Sequence, residues 1–598
     1  MSGQLGSDHD ARLSGDELKP VDTNASSQVK DVLHVTHETP YRQVNFWGTY
    51  VAAGTGALAA YGGFVMPATS IALIDADIGP SPNYYWVILA WTLCLAVGYT
   101  LVGRLSDIFG RRWFFIVATL LATIGCAIGA TAQSINTLIG ASVLTGLATS
   151  AQISFNYTLT ELVPIKHRFY VLTGIFLCAA PFSCFGPYIS RLFIVHTKLG
   201  WRWDYYANLI ANGISLICYA VFYHPPNFHE LHNRRRTRWQ EFKELDFIGI
   251  ILYIAGLLLF LMGLSWGGIL YPWKSAHVLG TLISGALTSV VFVLYEIYAP
   301  LKRPLVPMHL FKNWDYNVLT IVSAVGGMLY YSLNVLYPTM VAALFTTSIT
   351  KVGLLSVAIG GGVGLGQFGA SLVATPGGML RWKIFAAVVI CTATTAALAG
   401  ATKEATASGL AVVASICIGA LESFAGVAVT IVIKDQTEIG TAAGVYGSIR
   451  SVGGVLATAI LTTVLQGRVK SETAHHVVPA LLTAGLPATS LEDFLVDLGA
   501  GDVTAAEKLP GVTVKVLEVA AVTLRNAYQK SFETVYLVTL AFGIISCIAA
   551  FFSPSIESLY TDEVMRQLHP AGGKRAQGVE SDTEQGYVEK HAVQVVEK

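Results

Sequence analysis

The chain has 598 residues, of which 53% are hydrophobic and only 13% are charged, whereas soluble proteins carry roughly 25% charged residues. The charges also gather at the two ends, because 24 of the 76 lie within residues 1–46 and 553–598. This composition excludes a soluble enzyme, a disordered scaffold and a secreted disulfide framework. It indicates a polytopic, all-α membrane protein.

The formal net charge is zero, so no overall basic field predicts a nucleic-acid partner. The first 45 residues are polar and lack an apolar core, so no cleavable signal peptide is predicted. The eight cysteines lie in apolar segments without a CxxC pair, which predicts no metal site. The sequence contains no Walker motif, and we expect neither bound ATP nor another cofactor.

Crossing about 30 Å of hydrocarbon takes roughly 20 helical residues. The apolar runs predict fourteen membrane spans, at about residues 48–74, 84–102, 113–132, 137–159, 169–193, 203–223, 247–265, 276–298, 316–341, 352–373, 384–401, 408–432, 442–466 and 531–552. The long connection 467–530 is expected to form short amphipathic helices on the outer face.

Lys and Arg placement predicts the orientation. With the N-terminus inside, sixteen basic residues lie on cytoplasmic connections and five on the opposite short connections. We therefore expect both termini to be cytoplasmic.

The spans divide into six, an inserted pair and six more. The Arg-rich segment 224–246 follows the sixth span, and 374–383 resembles a second copy of 103–112. Internal repeats of this kind are typical of secondary transporters. The predicted segments are a disordered cytoplasmic tail 1–46, a first half 47–223, a basic connection 224–246, the inserted pair with its connection 247–315, a second half 316–552 and a cytoplasmic tail 553–598.

The most specific motif is Gly-Arg-Leu-Ser-Asp-Ile-Phe-Gly-Arg-Arg at residues 103–112. It resembles the G-x-L-x-D-x-x-G-[RK]-[RK] signature of the major facilitator superfamily. The resemblance implies the major facilitator fold and a cytoplasmic gate formed by Gly103, Arg104, Asp107, Gly110, Arg111 and Arg112. The two glycines would permit a tight turn, and Asp107 would suit a helix N-terminus.

Four further stretches narrow the resemblance. They are Asp-Ile-Gly-Pro-Ser at 77–81, Glu-Leu-Val-Pro-Ile-Lys-His-Arg at 161–168, Gly-Trp-Arg-Trp at 200–203 and His-Pro-Pro-Asn-Phe-His at 224–229. Together they resemble the fungal trichothecene-efflux-pump family, which is related to fungal siderophore-iron transporters. This implies a fungal, proton-coupled, fourteen-helix carrier. Two departures are Ser142, where the superfamily often has Arg, and Val65, where drug antiporters often have an acid.

Ionisable side chains inside spans are costly and therefore indicate function. Glu422 lies midway along the twelfth span and Arg450 lies in the thirteenth. We predict that they couple transport to protons; a purely structural ion pair is the alternative. Arg191, Asp204 and Glu296 lie near span ends, where long side chains reach the interface, and are interpreted as structural.

Polar and aromatic side chains on the central spans are the candidates for substrate binding. They are Gln152, Asn156 and Tyr157 in the fourth span, Tyr330, Asn334 and Tyr337 at helical spacing in the ninth, and Gln367 in the tenth. Such walls suit a bulky amphiphile with several oxygens. The alternative for each residue is hydrogen bonding between helices.

Residues 364–369 read Gly-Leu-Gly-Gln-Phe-Gly and match G-x-G-x-x-G, but no strand precedes them, so they do not predict dinucleotide binding. We instead expect them to allow close helix packing or bending during gating.

The resulting hypothesis is a monomeric, proton-driven exporter of small amphipathic toxins or drugs that works by alternating access. We place it in the plasma membrane, with the vacuolar membrane as the alternative. Two other functions stay open: proton-coupled uptake of ferric siderophores and, more remotely, a nutrient sensor that does not transport. An enzyme is not expected, because the sequence shows no catalytic cluster.

Overall fold

The computed structural model describes residues 43–555, except 80, 82, 110, 155–158, 160–162, 164–166, 225–242, 268–270, 302–303, 375–377, 434–438, 492 and 496–506. Most of the predicted basic connection and most of both tails therefore lie outside the described residues. Within those residues the regular structure is helical, apart from an isolated bridge between Gly267 and Tyr271. This confirms the all-α prediction.

The α-helices, numbered in chain order, are α1 (Val44–Ile78), α2 (Trp86–Phe109), α3 (Arg111–Ala130), α4 (Ile135–Ile153), α5 (Arg168–Ser183), α6 (Gly186–His196), α7 (Arg202–Phe222), α8 (Phe247–Trp266), α9 (Ala276–Tyr298), α10 (Trp314–Leu344), α11 (Ile349–Ala374), α12 (Leu380–Ala397), α13 (Glu404–Val432), α14 (Ile439–Glu472), α15 (Val478–Ala484) and α16 (Val514–Phe551). Short 3₁₀ helices at Met308–Lys312 and Leu398–Gly400 and a π-helical turn at Thr473–Val477 complete the elements.

Every predicted span coincides with a helix. Among the described residues, twelve helices are long and apolar enough to cross a membrane, with α5 and α6 counted as one span, Tyr170–His196. The other two predicted spans correspond to α2, whose apolar part Trp86–Val102 is shorter, and to the 19-residue α4.

The helix pairings repeat between the first six spans and the last six. Helix α1 packs against α4, α5 and α7, and α10 packs in the same way against α13, α14 and α16. The pairs α2–α4, α3–α4 and α3–α7 likewise have counterparts in α11–α13, α12–α13 and α12–α16. The two most extensive contacts between these groups are α2 with α14 and α5–α6 with α11, and they correspond under the same repeat.

Burial separates central helices from peripheral ones. In the apolar stretch of α10, 83% of the residues are buried inside the protein, whereas the share is 17% in α9. Helix α8 links the inserted pair to the centre, because it contacts α14 and α2 and its Tyr253 hydroxyl is hydrogen-bonded to Ser448. The leucines, isoleucines and valines exposed on α9 suit contact with lipid tails.

The fifth span is interrupted. Helix α5 ends at Ser183 and α6 begins at Gly186, with Pro187 in its first turn. Proline is tolerated there because the first amides of a helix have no intrahelical acceptor. The interruption places α6 against α11.

The prediction for residues 467–530 needs correction. Helix α14 continues to Glu472, and the 38-residue α16 begins at Val514, so both flanking helices are longer than the roughly 20 residues that cross a membrane. At 1.5 Å per residue, α16 is about 57 Å long. Between them the described residues form a small apolar core, consisting of Val477, Leu481, Leu486, Phe494, Val516, Ala520 and Ala527. Packing against this core, rather than against the membrane face, explains their apolar pattern.

The three charged residues interpreted as reaching the interface do not reach it. Arg191 is 8% exposed, Asp204 0% and Glu296 6%. Glu296 accepts hydrogen bonds from the backbone amides of Leu305 and Val306 and so fixes the connection after α9. Arg191 and Asp204 belong to the predicted outer side.

Candidate transport site

A cavity lies between the two groups of six spans. Its walls come from α1, α2, α4 and α5 on one side and from α13 and α14 on the other. Its lining consists of Tyr61, Tyr99, Ile153, Ser154, Leu172, Phe176, Glu422, Ser423, Gly426, Val427, Thr430, Ala443, Tyr446, Gly447 and Arg450. In α2, α4, α5, α13 and α14 these residues lie towards the predicted cytoplasmic end.

Helical spacing explains why these side chains share the cavity. Glu422, Gly426 and Thr430 are four residues apart and lie on one face of α13. On α14, Tyr446 and Arg450 are likewise four residues apart. The two helices therefore present one polar stripe each to the cavity.

Glu422 and Arg450 form an ion pair at this cavity. The side chains are 9% and 15% exposed, respectively. Gln367 of α11 donates to the second carboxylate oxygen of Glu422 at 3.3 Å. The structure thus brings together three predicted residues from three helices. Burial of this kind costs several kcal/mol per ion, and the pair offsets that cost only while both partners stay charged.

Aromatic rings surround the Arg450 guanidinium. Its carbon lies 5.7 Å from the Tyr330 ring centroid and 5.5 Å from that of Tyr331, within cation–π range. Phe64 of α1 is 5.2 Å from Tyr331 and 5.0 Å from Trp91 of α2. Helices α1 and α2 thereby meet α10. We call these four residues, Phe64, Trp91, Tyr330 and Tyr331, the aromatic cluster. The cluster packs across the boundary between the two groups of six spans, on the outer side of the cavity.

On the predicted outer side, α11 packs closely against α5 and α6, and this contact is called the outer seam. A Cβ added to Gly360 would lie 2.0 Å from the Ser183 carbonyl oxygen. Arg191 donates to the Thr69 carbonyl of α1 at 2.8 Å and to the Ile349 carbonyl of α11 at 3.4 Å. The cavity lining and this outer seam lie towards opposite ends of the helices, and the cavity is on the cytoplasmic side under the predicted orientation.

The comparisons with known proteins match this architecture. The family model described as "Fungal trichothecene efflux pump (TRI12)" matches residues 21–595. The "Trichothecene efflux pump TRI12" of Fusarium sporotrichioides is 30% identical over 91% of this chain and 92% of its own length. The protein of the same name from Trichoderma arundinaceum is 30% identical over 92% and 93%.

The chain belongs to the fungal trichothecene efflux pump family. It is therefore a multi-pass membrane protein of the major facilitator superfamily. The fold agrees with the solved human organic anion transporter MFSD10 (TETRAN), which has a TM-score of 0.51 and 11% identity and covers 83% of this chain and 99% of that one.

Two of the stretches that carried the family resemblance meet in space. Asp77, from 77–81, accepts a hydrogen bond from the Trp201 indole at 2.7 Å and a longer one from Arg202 at 3.4 Å. The Arg202 guanidinium also lies 4.4 Å from the Trp201 ring centroid. In this member of the family these stretches therefore join the outer ends of α1 and α7.

The gate motif differs from the expected turn. Helix α2 continues to Phe109 and α3 begins at Arg111, so Gly103, Arg104 and Asp107 lie in the last turns of α2. Gly110 lies outside the described residues, as do the side chains of those three. Asp107 therefore lies in the last turn of one helix rather than at the start of the next, because the helical pattern runs past the apolar span.

Arg112, at the start of the third span, contacts a helix of its own group. Arg112 donates to the Ala220 carbonyl at the end of α7 at 2.6 Å. Arg381, in the second copy 374–383, donates to the Phe551 carbonyl at the end of α16. Cations are stabilising at helix C-termini. The two contacts also correspond under the repeat, because α7 and α16 are equivalent helices of the two groups.

The predicted substrate residues are distributed among several environments. Asn156 and Tyr157 lie outside the described residues. Gln152 donates to the Asn212 side-chain oxygen at 2.6 Å, away from the cavity lining. Asn334 donates to the Tyr330 carbonyl at 2.8 Å, and the Tyr337 hydroxyl donates to Ser408 at 3.0 Å. In this conformation, hydrogen bonding within and between helices describes the contacts of Gln152, Asn334 and Tyr337.

Replacing Gln152 with Leu should lower stability without changing the KM for substrate. The Asn212 oxygen, in a side chain that is 2% exposed, would lose its donor at a cost of about 1–3 kcal/mol. Thermal unfolding and transport assays of purified protein test this, with exposed Gln133→Leu as the control. A raised KM at unchanged stability would instead show substrate contact.

The sequence interpretation missed the tyrosines that line the cavity. Tyr61, Tyr99 and Tyr446 all lie on its wall. The spacing could have indicated Tyr446 as a cavity residue, since it precedes Arg450 by four residues and therefore shares its helix face. Tyr61 and Tyr99 carried no such signal, because no charged residue marks the cavity-facing sides of α1 and α2.

Proposed function

We propose that this chain exports a bulky, neutral, oxygen-bearing amphiphile in exchange for protons, by alternating access between its two groups of six spans. The observation that carries the proposal is the Glu422–Arg450 pair, held by Gln367 at a cavity between those groups. Family membership supports export, since the relatives are named efflux pumps.

The cavity chemistry supports a neutral amphiphile. Tyrosine hydroxyls stand beside apolar Leu172, Phe176 and Val427, and the one ion pair on the wall is internally compensated. A trichothecene-like toxin has this character, because it combines an apolar skeleton with several oxygens.

The ion pair supplies a way to couple protons to substrate. Substrate would enter from the cytoplasm while Glu422 is ionised and paired with Arg450. After the change to the outward-facing state, Glu422 would bind a proton from outside as substrate leaves. Protonation ends the attraction to Arg450, and the proton would be released to the cytoplasm after return. One proton moves inward and one substrate outward in this scheme.

We further propose that the protein works as a monomer in the plasma membrane, with no cofactor beyond the proton gradient. The small amphipathic substrate and the surrounding lipid are then its partners, and nucleic acid is not among them.

The test is reconstitution of the full chain in proteoliposomes with an imposed pH gradient. Movement of a radiolabelled trichothecene towards the acidic side, abolished by a protonophore, would support the proposal. Gradient-driven movement of a ferric siderophore in the opposite direction, without toxin transport, would reverse the assigned direction. Saturable toxin binding without counterflow would identify a sensor.

Growth of a deletion strain complements this test. Hypersensitivity to trichothecenes with unchanged growth on single ferric siderophores is expected. The reverse pattern would make the chain an iron importer.

A further inference from the structure

Asp204 is a fully buried acid outside the cavity. It lies in the first turn of α7 and is 0% exposed. Its Oδ2 accepts a hydrogen bond from the Ser190 hydroxyl at 2.7 Å, whereas Oδ1 has no hydrogen-bond partner among the described residues. No ion pair joins Asp204 to any residue that the structure describes.

The helices around Asp204 offer hydroxyls and amides rather than a compensating cation. From α1, the Ser70 hydroxyl lies 2.7 Å from that of Ser190. Asn208 of α7 donates to the Asp204 backbone carbonyl, and its own side-chain oxygen has no partner. The titratable and charged groups nearby are Arg191 on α6, Arg202 and Tyr205 on α7, Cys126 on α3 and, at the rim of α1, Asp77.

The two cations in this set are occupied elsewhere. Arg191 donates to the carbonyls of Thr69 and Ile349, and Arg202 pairs with Asp77. An ionised Asp204 is therefore left with one hydroxyl donor and the start of a helix. Burying an uncompensated carboxylate costs several kcal/mol, while a helix N-terminus recovers only about 0.3–1 kcal/mol.

A proton removes this cost and also supplies a missing donor. Asp204 and Asn208 are four residues apart, so their side chains share one face of α7, and each carries an acceptor oxygen without a partner. A protonated carboxyl has an O–H that can donate to such an acceptor. The closed structure thus favours the neutral acid over the anion.

The site is joined to the outer seam through α6. Ser190, which donates to Asp204, directly precedes Arg191, which donates to Ile349 on α11. Separation of α6 from α11 would break the contact between Arg191 and Ile349. Water could then reach the first turn of α7, where Asp204 lies. Water supports the carboxylate and so favours proton loss.

We propose that Asp204 is a second proton-binding site, occupied when the outer seam is closed and emptied to the outer solution when the seam opens. The site takes its proton from that solution and returns it there, so it adds no net proton to a cycle. External acid would stabilise the closed seam and favour return to the inward-facing state. This inference rests on the proposed transport cycle, in which Glu422 carries the translocated proton.

The test measures opening of the outer seam against pH. Spin labels at Leu199→Cys and Thr347→Cys, both exposed positions, would report the distance across the seam in a chain whose native cysteines are replaced by alanine. The full chain would be studied in nanodiscs by pulsed electron paramagnetic resonance. We expect the open fraction to rise as pH increases, and Asp204→Asn to stay closed throughout.

A second variant keeps the test decisive if Asp204→Asn fails to fold. Ser190→Ala removes the donor to the anion, so the midpoint of opening should move to higher pH. An unchanged response in Asp204→Asn, or an unchanged midpoint in Ser190→Ala, overturns the Asp204 site whether or not proton-driven transport is observed.

Discussion

Glu422→Gln should abolish transport driven by a pH gradient while substrate exchange without a gradient continues. Glutamine cannot take up a proton in this range, so the coupling step is lost, but the amide can still accept a hydrogen bond from Gln367. Proteoliposomes measured with and without a gradient separate the two activities. Full gradient-driven transport in the variant would remove Glu422 from the coupling step.

The same substitution leaves Arg450 buried without its partner. Breaking a buried pair costs about 3–5 kcal/mol, so thermal stability must be measured together with transport. Glu422→Gln combined with Arg450→Gln should recover part of the stability and none of the coupling. Glu404→Gln is the matched control, because its 2.7 Å pair with Lys351 is exposed and such pairs contribute about 0–1 kcal/mol.

Gly366→Ala should strongly destabilise the second group of helices. A Cβ at this position would lie 2.0 Å from the Ile416 carbonyl oxygen, and one at Gly419 would lie 2.0 Å from that of Val363. Overpacking costs typically about 1–3 kcal/mol, and the upper part of this range is expected because the opposing atoms are backbone. Thermal unfolding in detergent gives the measurement, and Gly419→Ala should show a similar loss.

Gly369→Ala is the control on the same helix. No heavy atom of another part of the protein lies within 4 Å of its added Cβ, and alanine favours the helix by about 1 kcal/mol over glycine. Its stability should therefore be unchanged or slightly raised. Equal losses at Gly366 and Gly369 would show that the effect is not due to the contact with α13.

The glycines of residues 364–369 show how much of a motif's structural role could be predicted from the sequence. The sequence excluded dinucleotide binding, because the motif lies within an apolar span, and it predicted close helix packing. The structure distinguishes the members of the motif: Gly366 faces α13, Gly364 faces Cys184 across the boundary between the two groups, and Gly369 faces open space. That distinction depends on which helices are neighbours, and spacing along one helix does not contain it.

The outer connection and two buried charged residues mark a second limit of the sequence interpretation. An apolar pattern in 467–530 predicted helices on a membrane face, but the helices pack on one another. Nearness to a span end predicted that Arg191 and Asp204 reach the interface, but α1, α6 and α11 cover them. Hydropathy reports how apolar a segment is, and it does not report which surface the segment meets.

The sequence by itself determined the membrane class, the fourteen helical positions and the family, because apolar runs and short motifs are local properties of the chain. It also identified Glu422 and Arg450, since a charge within a span is costly wherever the span packs. Only the tertiary structure decided that these two residues pair beside Gln367, that tyrosines from α1, α2 and α14 complete the cavity, and that Gln152 faces Asn212. Those outcomes depend on how helices distant in sequence are rotated and paired, and packing between helices sets that geometry.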